Sequence, residues 1–331
     1  MFIDIYTHFF PGEFYAKMTQ AAPRLENIGK RMQAVVAIHD LDERFRQMDP
    51  FGDYRQMISL PNPPLEEITD PEMGSELARV ANDAMAELVL KHPDRFPGFI
   101  AALAMHDMDG AMVELHRSIK DLGARGVQIF TNVDGKPLDL PQYQPLFDAM
   151  AEYDLPIWLH PTRPASRSDY ASEERSRYEM WWCFGWPYET SIAMSRLVFS
   201  GLFDRHPAIK IVTHHMGGMI PFFDGRIGTG MDVLGARTTD EDYSEVLSSL
   251  KKPHLEYFKM FYADTAMFGT NGGIKCGLDF FGPDQVVFST DAPFAPVRET
   301  FRSIDELDLD SAQLDKIMFG NAAKLMKLDL N

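Results

Sequence analysis

The chain has 331 residues, 45% of them hydrophobic and 24% charged, with a formal net charge of −17; this is the composition of a folded globular protein. So acidic a balance excludes a nucleic-acid partner, whose phosphates need clustered Lys and Arg. Cys183 and Cys276 are too few for a disulfide framework, and with no signal-like or membrane-length apolar run the expectation is a cytoplasmic protein.

The predicted elements alternate in type along the chain. A first strand, "FIDIY" (2–6), leads into Thr7 and His8 before Pro11 and Gly12. On strand alternation Asp4, Tyr6 and His8 share one face. A second strand covers 54–60. It is followed by a helical run from Asp70–Pro71, a start signal, with Leu77, Val80, Ala81, Ala84 and Leu88 at helical spacing. Further strands are predicted at 96–103, 126–130, 155–160, 209–214, 260–265 and 286–291, several of them continuous apolar runs. Helical patterns lie between them, and one starting at "PYETSIAMSRLVF" stops at Gly201 or Pro207. Eight strands alternating with helices predict one (β/α)8 barrel over 1–331. An aromatic-rich excursion falls at about 161–190, and helices close the C-terminus. A doubly wound open sheet is the rival, and it lacks the Gly-rich phosphate loop after its first strand.

A barrel carries its chemistry at the C-terminal ends of the strands. His8 follows the first strand, His160 ends the fifth, His214 and His215 end the sixth, Asp264 the seventh and Asp291 the eighth. Neutral imidazole and carboxylate are ordinary ligands for zinc or manganese, and three of them with a solvent position make a catalytic metal site. A single histidine at a strand end is more often a structural hydrogen-bonder; the joint pattern is what points to a site.

With these residues in place, the chain resembles the amidohydrolase superfamily, in the branch of the aminocarboxymuconate-semialdehyde and γ-resorcylate decarboxylases. The resemblance spans nearly the whole chain. It rests on "IDIYTHFFP", "RFRQMD", "HP" at 160–161, "GWPYETSIAMSRLVFSGLFDRHPAIKIVTHHMGGMIPFFDGRI", "FSTDAPF" and "GNAAKLMKL". It implies metal ligands at His8, His160 and Asp291, with Tyr6 at a second ligand position of the first strand. It implies an acid/base histidine six residues before Pro221, which is His215; His214 is the extra neighbour, expected to meet substrate. Arg44 and Arg46 lie where relatives carry a carboxylate-binding arginine, suited by its planar fork. Relatives are often dimers, so a homodimer or higher homo-oligomer is expected.

Other residues extend the site. Arg163 follows His160 by three and is a further candidate for the substrate carboxylate. Tyr178, Trp181, Trp182, Phe184 and Trp186 crowd the excursion, as a wall over a flat substrate or as a subunit contact. Gly217 and Gly218 would let the backbone approach the metal closely, or serve a plain turn. Asp264 would orient a ligand or play a structural part.

Tyr6 leaves three readings open. It ligates; or it donates a hydrogen bond to water or substrate beside a three-ligand site; or the site works without metal. That three ligands suffice favours the second. The expected activity is a metal-assisted, non-oxidative decarboxylation of a hydroxylated or amino aromatic acid, or of a muconate-like acid. His215, Asp291 and Tyr6 would be the catalytic groups, and one divalent ion, zinc before manganese, the cofactor. A hydrolase of a lactone, amide or C–C bond is the alternative, and a degraded barrel that only binds a ligand is the third reading.

Overall fold

The computed structural model describes residues 1–23, 29–237, 239 and 242–329. Seven parallel strands and one bridged segment form eight staves. The first, Phe2–His8, pairs with the second, Tyr54–Ser59. The third is held by single bridges, Phe99 to Ile58 and Ala101 to Val127. Val127–Phe130, Ile157–His160, Ile211–Thr213, Tyr262–Asp264 and Val286–Val287 follow in spatial order. The Ile5 amide donates to the Phe288 carbonyl (3.1 Å) and the His8 amide to Ala292 (2.8 Å), which closes the circuit. The fold is a (β/α)8 barrel.

The third stave is shorter than the predicted 96–103. Pro97 has no N–H to offer a ladder and Gly98 has no side chain to pack, so pairing there shrinks to two bridges. The predicted helix start holds: Asp70 caps its helix by accepting from the Met73 amide, with Pro71 in the first turn of Pro71–Lys91. Gly201, at φ 73°, ends the run that follows helix Gly185–Phe199.

The barrel interior is one buried cluster. Ile3, Ile5, Met57, Ile100, Trp158, Val212 and Val287 meet Ala322, Leu325 and Met326 of the terminal helix Asn321–Met326. Asn321 donates to the carbonyls of Pro283 and Val286, both at 2.7 Å, and fixes that helix under the start of the eighth stave.

The first stave is not a plain alternation. Asp4 pairs opposite Gln56, but Thr7 opposite Ile58, so it carries one extra residue there. This bulge resets the alternation. Asp4 accepts hydrogen bonds from the Tyr54 hydroxyl (2.5 Å) and the Thr290 amide (3.1 Å). Tyr6 joins the interior cluster, its ring 5.2 Å from that of His8. Asp4 therefore does not share the face of Tyr6 and His8 as simple alternation predicts.

Candidate active site

The polar strand ends converge at the C-terminal mouth of the barrel. His8 Nε2 lies 3.1 Å from Asp291 Oδ1, His214 Nε2 lies 3.5 Å from the same oxygen, and His215 Nε2 lies 3.9 Å from Oδ2. The ring of His160 is 5.3 Å from both His8 and His214. Among the described residues, His8, His160 and His214 form one group that could hold a metal ion, and His214, His215 and Asp291 another. In each group the donor atoms lie within 4.8 Å of one another.

Each imidazole is aimed by what its other nitrogen bonds. The Ser59 hydroxyl donates to the Thr7 carbonyl, so its oxygen accepts from His8 Nδ1 at 3.2 Å. His160 Nδ1 donates to the Pro161 carbonyl at 2.7 Å. His214 Nδ1 donates to Asp264 Oδ2 at 2.5 Å, while Oδ1 of that carboxylate accepts from the amides of His215 and Ala266. All three arrangements leave Nε2 facing the cluster, the usual way a protein orients a metal-binding histidine.

Charge is arranged to match. Burial, helped by neighbouring imidazoles, holds His8 below its ordinary range and His160 well below it, so both are neutral. Burial also depresses His215, with His214 adding to the effect. Burial works against ionisation of Asp291, but the three imidazoles around it win and hold its carboxyl well below the usual range. Burial alone would depress His214 too; Asp264 foremost, then Asp291, lift it to about 9. Burial and the nearby Asp264 and Asp291 charges raise Tyr6 well above its ordinary value. Its hydroxyl has no hydrogen-bond partner. His215 and Asp291 both sit in left-handed backbone, φ 51° and 63°, a strained conformation common at working sites.

A cavity of about 480 Å³ opens over this cluster. His8, His160 and Asp291 reach it, and Trp182, Trp186 and Phe268 are among its walls. Trp186 stands edge-on to His160 at 5.6 Å, and Trp182 lies 5.9 Å from Phe268.

Several expected residues lie elsewhere. Arg44 is 2% exposed, and its guanidinium donates to Gln56 Oε1, Thr7 Oγ1 and the carbonyls of His8 and Ala37. It braces the first stave and does not line the cavity. Arg46 sits on the exposed face of the same helix, Leu41–Met48, where Glu43 takes both prongs of its fork. Arg163 is tied to Glu189 at 2.9 Å, and Phe184 is 67% exposed; both line a separate surface groove. Tyr6, His214 and His215 are not among the residues that line the cavity: Tyr6 and His214 are fully buried beneath it, and His215 is partly exposed beside Phe268, one of its walls. Gly217 and Gly218 approach neighbouring elements: a Cβ on Gly218 would meet the Pro187 carbonyl at 2.5 Å, and one on Gly217 the Phe281 ring at 2.9 Å.

The cavity also holds residues the sequence did not single out. Arg31 and Lys30 give it a cationic edge, Phe294 follows Asp291 by three, and Asn62 donates to the Pro161 carbonyl beside His160 at 3.0 Å. Two had a signal: Asn62 lies just past a strand end in "LPNPP", and Phe294 closes "FSTDAPF".

Comparison with known proteins identifies relatives of the whole chain. The γ-resorcylate decarboxylase of Polaromonas sp. is 36% identical over 298 residues, covering 87% of each chain. A solved 2,6-dihydroxybenzoate decarboxylase, complexed with 2,6-dihydroxybenzoate, superposes with a TM-score of 0.82 at 29% identity over 99% of both chains. A dihydroxybenzoic acid decarboxylase from Polaromonas sp., with bound manganese and the inhibitor 2-nitroresorcinol, gives a TM-score of 0.80 at 30% identity, over 99% of this chain and 97% of that one. A family model described as amidohydrolase matches residues 3–328. A match of that length settles the family: the chain belongs to the amidohydrolases.

Proposed function

We propose that the protein is a non-oxidative decarboxylase of a hydroxylated aromatic carboxylic acid, with a divalent ion held by His8, His160 and Asp291. The observation that carries this is the cluster of neutral imidazoles and one ionised carboxylate opening into an aromatic-walled cavity. The donor set fits a metal: His8 Nε2 is buried and makes no aligned hydrogen bond, although Asp291 Oδ1 lies 3.1 Å away, and two imidazoles with a carboxylate suit manganese or zinc. Manganese is the ion proposed here in place of zinc, because it is the one bound in a similar decarboxylase. Bound there, a divalent ion supplies stabilisation of negative charge on substrate oxygens.

The chain's own residues do the rest. Trp182, Trp186 and Phe268 hold a flat ring and keep water from it. Arg31 and Lys30 draw the anionic acid toward the mouth. His215, its Nε2 3.9 Å from the ionised Asp291, takes a proton from solvent, the carboxylate favouring the charged imidazole, and hands on that proton. The proton adds to the ring carbon as the bond to the carboxylate breaks; CO2 leaves, and the bonding pair stays on that carbon. Proton delivery by a placed group is worth ~10²–10⁴-fold in rate.

The test is a panel of hydroxybenzoates, 2,6-dihydroxybenzoate among them, incubated with the manganese-loaded protein while CO2 is measured. Release of one CO2 per acid consumed supports the proposal. Lactone or amide cleavage with no CO2 from any acid sinks it and supports the hydrolase reading.

We also infer self-association. Tyr188, Ile192 and Met219 are large exposed apolar residues lining one groove, the kind of surface that a second copy covers. Both cysteines are free thiols, which supports a reducing compartment such as the cytoplasm. No helix among the described residues is long and apolar enough to cross a membrane.

A further inference from the structure

We propose that His214 is a ligand of the metal, supplying the fourth protein donor where the first stave offers only one. The inference rests on the metal site proposed above.

The first stave turns two side chains into the mouth, Tyr6 and His8, because of its bulge. Only His8 brings an imidazole. Tyr6 brings a ring that packs edge-on against His214 at 4.4 Å, with His8 at 5.2 Å and His160 at 5.6 Å. Its hydroxyl is also buried without a hydrogen-bond partner, but a phenol ligates a metal only after losing a proton whose ordinary pKa is about 10, whereas an imidazole ligates in its neutral form. Tyr6 thus fills volume between the histidines.

His214 has what Tyr6 lacks. It comes from the end of the sixth stave and is 0% exposed. Its Nδ1 is fixed by Asp264, which is itself 0% exposed and is held by two backbone amides. The ring is therefore locked with Nε2 toward the cluster. That Nε2 is buried and has no hydrogen-bond partner. One ring nitrogen of His214 lies with donor atoms of His8 and His160 inside a 4.8 Å span, and Nε2 lies 3.5 Å from Asp291 Oδ1. A carboxylate behind an imidazole whose far nitrogen faces other donors is how metal-binding histidines are oriented and made more basic. The approach of His214 Nε2 to Asp291 Oδ1, at 3.5 Å, is longer than a hydrogen bond, so an ion pair with Asp264 alone leaves that nitrogen buried and unsatisfied among the other donors. His214 belongs with the metal, and Asp264 is its positioning residue.

The experiment measures binding, not turnover. Mn²⁺ affinity is measured by chelator competition, and the visible spectrum of the Co²⁺-loaded protein is recorded for wild type, His214→Ala, His214→Asn, Asp264→Asn and the double variant Tyr6→Glu/His214→Ala. His214→Ala is expected to weaken Mn²⁺ at least ~100-fold, and Asp264→Asn by ~10–100-fold. The Co²⁺ bands should shift in both His214 variants. The double variant, which returns a carboxylate donor from the first stave, should regain at least ~10-fold over His214→Ala. Thermal denaturation identifies any variant that fails to fold; His214→Asn keeps the site filled and serves where the alanine variant does not.

Wild-type Mn²⁺ affinity and an unchanged Co²⁺ spectrum in a folded His214 variant would overturn the inference. His8→Ala separates the two levels. If it abolishes binding while the His214 variants do not, only the His214 assignment falls. If wild type binds neither Mn²⁺ nor Co²⁺, the metal site and the inference fall together.

Discussion

Arg44 holds the end of the first stave from behind, through Thr7, Gln56 and the His8 carbonyl. Replacing it by Met would strip those buried acceptors of their donor. The expected result is a loss of about 3 kcal/mol in folding stability. Chemical denaturation would show it, and KM for any substrate would stay near wild type because Arg44 does not line the cavity. A second residue gives a pH test. Burial raises the Glu66 carboxyl from 4.5 to about 8, only weakly opposed by backbone amides. Between those values the folded chain keeps a proton that the unfolded chain gives up, so stability falls as pH rises through that window. Glu66→Gln should match wild type near pH 5 and exceed it by at least ~1 kcal/mol at pH 8, read from melts across pH. The convergence of His8, His160 and Asp291 was legible because their strands announce themselves and each stands at a strand's end. Arg46, Arg163 and Phe184 were misread for one reason. Nearness in sequence to a strand end or a motif does not say which way a side chain leaves a helix or loop.

Elements carry the next level of constraint. The turn after the sixth stave runs through His215, Met216, Gly217 and Gly218, all with positive φ. Gly218 lets it lie against helix Gly185–Phe199, where a Cβ would strike the Pro187 carbonyl. Gly218→Ala should cost ~1–3 kcal/mol of stability and lower kcat more than it raises KM, because His215 rides on that turn. A denaturation curve and steady-state kinetics together check this. Periodicity located the staves well, since apolar runs buried on both faces are distinctive. It overran the third, where Pro97 and Gly98 weaken pairing, and it could not see the bulge in the first. A bulge is a relation between two strands, and no single strand's sequence contains it.

At the scale of the whole molecule, the barrel follows from the strand–helix alternation and from catalytic residue types at matching ends. The cavity does not follow from either. Its walls come from loops after different staves: Arg31 from one, Trp182 from another, Phe268 and Phe294 from two more. Only closure brings them together. The apolar groove at Tyr188, Ile192 and Met219 makes a further prediction about the molecule entire. Light scattering on the purified protein should give twice the chain mass or a higher multiple, and Ile192→Glu should reduce it to a single chain. A single-chain mass for wild type at micromolar concentration would refute self-association. The bulge in the first stave reaches further than geometry. Residues before it answer to the packing of the barrel floor, and residues after it answer to the chemistry at the mouth. Because the phase is reset between them, a change on one side leaves the other side's orientation intact. The extra residue thus lets one strand serve two masters, the floor through Ile3 and Ile5 and the mouth through His8.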